Sequence, residues 1–299
     1  MKDSAHQHRY SEGGKGAWAG IWVNVLLFAY KITAGIVGHS YAMVADAIHT
    51  LSDAVSSVIV LIGFKISERP ADSEHPYGHG RAESIAAKIV ALILIVLGFK
   101  VGLDSIKGMI SPGLIVPGQI ALWAAVVSIV VKEGLFRYAY KLGKHIDSSA
   151  LIADSWHHRS DAYSSVAALI GIAGARFGWI YMDPLAGIVV SGLVIKAGID
   201  SFHMAYDELM DAAPDKAIMD KIKDLVLSEE GVCGVHSLRA RKTGADIFIE
   251  MDIYVDKDET VIGGHSIAER VKRSISDKLP GTKRILVHVE PNIKGICKE

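Results

Sequence analysis

Ala45-Asp46-Ala47-Ile48-His49-Thr50-Leu51-Ser52-Asp53 lies inside a long apolar run, and its reading decides the fold. A second copy of the pattern stands at Ala153-Asp154-Ser155-Trp156-His157-His158-Arg159-Ser160-Asp161. The shared core is Ala-Asp, then His three residues on, then Asp four beyond that. Residues four apart lie on one helical face. His49 with Asp53, and His157 with Asp161, therefore each present an imidazole and a carboxylate together. Two such helices face to face offer two imidazoles and two carboxylates around one point. That is the ligand number and mixture of a tetrahedral divalent ion, Zn2+ first. Ionisable groups are expensive at membrane depth and mark a substrate path there.

Outward from these two stretches, apolar segments recur at 16–37, 40–64, 81–107, 119–140, 148–175 and 184–205. Each reaches the length of about twenty residues that a membrane helix needs. Arg9, Lys15, Lys65, Arg69, Arg81, Arg137, Lys141 and Lys144 fall on one side of six such spans, which predicts both termini in the cytoplasm. Residues 1–15 are polar for too long to be a signal peptide and read as a mobile tail, with His6 and His8 solvated. Half of the 299 residues are apolar and the net charge is −1, so no nucleic-acid partner is expected. Cys233 and Cys297 make neither a metal-ligand spacing nor a disulfide framework.

Beyond residue 208 the pattern changes to that of a soluble domain. A helix over 215–228 is followed by alternating runs at 235–241 and 245–255 that read as a hairpin. Gly264 precedes a helix over 265–279, and 284–289 forms a last strand. Helix, strand, strand, helix, strand is most of a ferredoxin-like unit. The expected fold is thus a membrane all-α six-helix bundle over 16–208, followed by an α+β ferredoxin-like cytoplasmic domain over 209–299. So small a core is marginal alone, and dimerisation would strengthen it.

These residues resemble the cation diffusion facilitator family, proton-coupled exporters of divalent metals. The resemblance covers nearly the whole chain. His49, Asp53, His157 and Asp161 resemble the transport site between the second and fifth spans. Asp72, His75 and His79, in the stretch Pro70-Ala71-Asp72-Ser73-Glu74-His75-Pro76-Tyr77-Gly78-His79-Gly80, resemble the site in the loop between the second and third spans. His236, Asp252, His265, His288 and Glu290 fall at positions resembling the metal cluster of the cytoplasmic domain. Arg81 and Asp211 resemble the charged interlock at the membrane–cytoplasm junction. The resemblance implies a homodimer in the bilayer of the bacterial inner membrane that exchanges cytoplasmic metal for outside protons.

Two imidazoles argue against Mg2+, Ca2+ or Mn2+ and fit Zn2+, with Cd2+, Co2+, Ni2+ and Fe2+ as alternatives. Four side-chain ligands leave no necessary water position, so the site is expected to bind rather than hydrolyse, and no enzymatic activity is expected. Imidazoles titrate near neutral pH and can trade metal for protons. Asp46 and Asp154 precede each histidine by three residues and read as ligands, as acceptors for the imidazoles or as helix-packing contacts, with support for the imidazoles favoured because four ligands exist without them. The loop residues serve metal capture, loop ordering or plain solvated polarity. Metal in the terminal domain would be regulatory or structural. A passive metal channel, a metal-sensing membrane scaffold and a membrane metalloenzyme are the rival classes.

Overall fold

The computed structural model describes the backbone of residues 2–67, 72–111, 113–145, 149–243 and 246–293, and their side chains outside 2–19, 56–67, 143, 145, 149–154, 157, 158 and 160. It separates into two compact units, 1–61 with 87–202, and 62–86 with 203–299. The connection that carries Asp72, His75 and His79 therefore belongs with the terminal unit.

Among the described residues six long helices come first: α1 (Lys2–Val37), α2 (Tyr41–Ser67), α3 (Arg81–Ile110), α4 (Gln119–His145), α5 (Ser149–Arg176) and α6 (Met182–Leu209). α1 runs through the residues expected to be an irregular tail. Among the described residues, four helices are long and apolar enough to cross a membrane: Gly20–Val37, Arg81–Ile110, Gln119–Leu142 and Met182–Leu209. α2 and α5 fall outside that set because they carry the polar stretches and are described only in part. On α3, Leu92, Ile93, Val96, Phe99 and Leu103 are exposed, as a face toward lipid requires.

Small residues let these helices approach closely, as membrane helices do. Ala34, Ala42, Ala121, Ala124, Ala125 and Ala168 form a buried cluster with Met43 and Ile172. At Gly171 of α5, an added Cβ would collide with Cβ of Ala186 and lie 2.8 Å from the carbonyl oxygen of Met182. Gly171→Ala is therefore expected to lower stability by about 1–3 kcal/mol, the usual penalty of overpacking, read as a lower melting temperature in detergent.

The short α1–α2 turn is held from a distance. Ser40 caps α2, its hydroxyl accepting from the Met43 N–H at 3.0 Å. Ser40 Oγ in turn donates to Asp183 at 2.6 Å, and the Tyr41 N–H donates to the same carboxylate at 2.8 Å. Asp183 is thus an α6 carboxylate placed at the positive end of α2.

The terminal unit contains α7 (Lys216–Leu227), β1 (Gly234–Thr243), β2 (Asp246–Val255), α8 (Val261–Lys278) and β3 (Thr282–Pro291). The sheet order is β1-β2-β3, with β1 antiparallel and β3 parallel to β2. α8 begins four residues before its expected start because Thr260 caps it, its hydroxyl accepting from the Gly263 N–H at 3.0 Å. Ile249, Met251, Ile253 and Val255 point to one face and pack with Ile222, Val226, Ile267, Val271 and Ile275 of the helices. The alternate residues, Asp252 and Tyr254 among them, point to the other face. Cys297 lies outside the described residues, and with it the expectation for the two cysteines.

Candidate metal centres

Three groups of ligating side chains gather among the described residues: His49 with Asp53 and Asp161; Asp72 with His75 and His79; His236 with Asp252 and Glu290. In each, the ligand atoms lie within 4.8 Å of one another.

The first group joins α2 to α5 inside the bundle. His49 and Asp53 are one helical turn apart, as their spacing predicts, and Asp161 faces them. His49 Nε2 is 4.0 Å from Asp161 Oδ1. His49 Nδ1 is buried without a hydrogen-bond partner among the described residues. The side chain of His157, the fourth expected ligand, lies outside the described residues. α4 adds a group that the sequence reading did not include. Lys132 Nζ donates to Asp53 Oδ2 at 2.9 Å and to Asp161 Oδ2 at 3.1 Å, and its side chain is 1% exposed. The carboxylates of the site thus share a buried ammonium.

Asp46 does not support the His49 imidazole. Its carboxylate takes the Lys31 ammonium of α1 at 2.8 Å. It also accepts from Ser164 Oγ at 2.8 Å and Ser165 Oγ at 2.9 Å. Lys31 donates further to Thr50 and Ser165 at 2.8 and 2.9 Å. Each charge in this second buried pair has hydrogen bonds on several sides, the condition under which burial of charge is tolerated. Asp154, the corresponding residue of α5, has its side chain outside the described residues.

The loop group is built by a tight turn. Asp72 Oδ1 accepts from the N–H of Glu74 at 3.0 Å and of His75 at 2.6 Å. Gly78 turns the chain at φ 85, a value that favours glycine. The turn brings His75 Nδ1 to 3.4 Å and His79 Nε2 to 3.5 Å from the Asp72 carboxylate. The segment packs on the sheet, with the Arg284 guanidinium 5.8 Å from the centre of the Tyr77 ring. Arg81 and Arg241 both pair with Asp211; the Arg241 bond is 3.3 Å. Arg81 and Asp211, expected as a charged interlock, form an ion pair, and Arg241 of β1 is an arm that the sequence did not reveal.

The N–H of His75 holds the Asp72 carboxyl below the ordinary value of 3.8, opposed by desolvation and helped by the Glu74 N–H and the two imidazoles. A carboxyl with a lowered folded value contributes its full stabilisation above its unfolded value and loses it as pH falls through the folded one. The turn is therefore expected to stay ordered from neutral pH down to the ordinary value of 3.8 and to loosen only below it. A carboxyl-detected NMR titration of Asp72 checks this; a midpoint above the ordinary value would contradict it.

In the terminal group, a register shift between Val235 and Ser237 makes His236 the extra residue of a β-bulge. Its ring stacks on Tyr254 of β2 at 5.1 Å. Across β2, its Nδ1 reaches Glu290 Oε2 of β3 at 2.8 Å. Asp252 accepts from the Ser237 hydroxyl on the same open face of the sheet. His265 and His288, expected in this cluster, do not join it. His265 lies exposed on α8, and His288 is exposed on β3 opposite Asp252. His288 is thus beside Asp252 in the sheet without entering the group, and His265 belongs to the helical layer on the other side.

Family models match both parts of the chain. Residues 17–210 match the cation efflux transmembrane domain, and residues 214–292 the cytoplasmic domain of cation efflux proteins. The chain is similar to Metal tolerance protein C1 of Arabidopsis thaliana, at 34% identity over 96% of this chain and 65% of the plant protein, so it spans just under two thirds of that relative. It is also similar to the manganese efflux system protein MneP of Bacillus subtilis, at 34% identity over 93% of this chain and 95% of MneP. The magnetosome protein MamM of Magnetospirillum gryphiswaldense is 34% identical over 91% of this chain and 86% of its own length. A solved chain of MamM residues 215–293 is 34% identical, covers 25% of this chain and 96% of that one, and has a TM-score of 0.25.

Proposed function

The chain belongs to the cation diffusion facilitator family of cation efflux transporters, a multi-pass membrane family, and from that premise we propose that it exports Zn2+ from the cytoplasm in exchange for protons. The observation that carries this reading is the convergence of His49, Asp53 and Asp161 inside the helical bundle. An imidazole beside two carboxylates suits a borderline ion, and imidazole can take a proton when it gives up metal. Metal and protons then need only bind the inward-facing and outward-facing conformations differently. His157 would complete four ligands on the same pattern of spacing.

The same reading makes the protein a homodimer of the bacterial inner membrane with both termini cytoplasmic, a carrier rather than an enzyme. One-sided loop charge supports the orientation. Metal at Asp72, His75 and His79 would order the α2–α3 connection. Metal at His236, Asp252 and Glu290 would favour whichever dimer arrangement holds it.

A second reading, Mn2+ as cargo, is favoured by the likeness to a manganese efflux protein. Proteoliposomes with an imposed pH gradient separate the possibilities. Zn2+ flux is expected to rise with the gradient and to resist competition by equal Mn2+. Flux indifferent to the gradient would mean a passive channel, and equal competition by Mn2+ would replace zinc with manganese.

A further inference from the structure

We propose that Lys132 is a tethered counter-cation of the transport site, which its cargo must displace in order to bind. The inference rests on the reading of His49, Asp53 and Asp161 as the cargo site. Two carboxylates facing each other in a helical bundle repel, and each is costly to bury without a partner. Lys132 removes both difficulties at once, since one ammonium bridges Asp53 Oδ2 and Asp161 Oδ2 at 2.9 and 3.1 Å.

The ammonium holds the place that a divalent ion needs. A metal bound to a carboxylate oxygen sits about 2.0–2.2 Å from it. An ion shared by those two Oδ2 atoms would overlap Nζ or stand against it with like charge. Metal and ammonium therefore alternate. Lys132 comes from α4, whereas the ligands come from α2 and α5, so withdrawal of Nζ can link metal entry to movement of a helix that supplies no ligand.

The surroundings leave the lysine little other purpose. It is 1% exposed, so it does not reach to an interface as lysines near helix ends do. Asp46 has a lysine of its own in Lys31. A purely structural ion pair would remain in place when metal binds, whereas a counter-cation leaves. For the transporter, a site kept charge-compensated between cargoes need not close as a bare pair of carboxylates. It also weakens the hold on any cation by the cost of expelling the ammonium, which favours release.

The test uses the full chain and Zn2+ itself. The transport-site component is defined as the zinc binding lost in Asp53→Asn. In that component, Lys132→Met is expected to bind at least about tenfold more tightly, as removal of a like charge at contact distance requires, and to export more slowly. Lys132→Arg, which keeps the charge, is expected to stay within about threefold of the parent, well inside one tenfold step of binding. Unchanged or weaker binding in a folded Lys132→Met protein overturns the proposal.

Should Lys132→Met fail to fold, the unaltered protein answers instead. With 15N-lysine and 13C-aspartate labels, solid-state NMR should detect the Lys132 Nζ contacts to Asp53 and Asp161 without metal and lose them at zinc saturation. The Lys31–Asp46 contact should persist as an internal reference, and persistence of the Lys132 contacts overturns the proposal. If Asp53→Asn leaves all zinc binding intact, the cargo-site reading itself fails. If it removes a component that Lys132→Met leaves unaltered, only the counter-cation fails.

Discussion

Asp53→Ala and Asp161→Ala are each expected to cut gradient-driven zinc export by more than about a hundredfold, because even the outer partners of a metal site cost 10–100-fold when lost. Each substitution removes one of the carboxylates gathered around His49. Each also leaves Lys132 with one carboxylate where it had two. Loss of export therefore has two physical sources, a missing ligand and an altered balance of buried charge. Asp53→Asn and Asp161→Asn keep the side-chain shape and separate these from loss of packing. The measurement is flux into proteoliposomes at matched protein incorporation, with melting temperature recorded alongside. Export near the parental rate in either alanine variant would remove the bundle site from the mechanism.

The second large effect is on stability. Lys31→Met is expected to cost about 3–5 kcal/mol, the range seen when one partner of a buried ion pair is removed. Lys31 is 1% exposed and its carboxylate partner Asp46 is fully buried, so neither can turn to water for compensation. Asp46→Ala should cost a similar amount, since it strands the ammonium and removes the acceptor of Ser164 and Ser165. The double variant Lys31→Met with Asp46→Leu should be more stable than either single one, because replacement of both charges by apolar groups is often neutral. Equilibrium unfolding of the four proteins, arranged as a double-mutant cycle, gives the coupling. Additive losses would mean that the two residues do not act as a pair.

The sequence made His49 and Asp53 conspicuous because a polar pair one turn apart is hard to explain on an apolar helix. Asp161 followed from the repeat of the same pattern. Lys132 gave no comparable signal. It stands alone in a run of Val and Ile residues with Glu133 beside it, and nothing local distinguishes a lysine near a span end from one turned inward. Only the packing of α4 on α5 brings it to the two carboxylates. Asp46 illustrates the opposite error. Its spacing from His49 suggested an imidazole partner, but Lys31, on another helix, competes for it and holds a full charge.

In the terminal unit, alternation puts Asp252 on a strand and His288 with Glu290 on one face of the last strand. Which of them gathers with His236 depends on a bulge, an insertion in the register that no alternation rule contains. Gly264 marks a boundary in the sequence pattern, yet α8 starts earlier because Thr260 has the oxygen that caps it. The association of 62–86 with the terminal unit is a long-range fact, made by Tyr77 under Arg284 and by the two arginines on Asp211, and chain order alone does not encode it.

The grip of Asp183 on Ser40 and Tyr41 gives α2 a pivot fixed to α6. Asp53 lies twelve residues beyond Tyr41, a lever arm of about 18 Å at 1.5 Å per residue. A tilt of about 10° at the pivot would sweep the Asp53 carboxylate through about 3 Å on that arm. That stroke matches the 2.9 Å now separating it from the Lys132 ammonium. A modest rocking of one helix is thus long enough to open or close the charge contact at its far end, with the capped first turn left undisturbed.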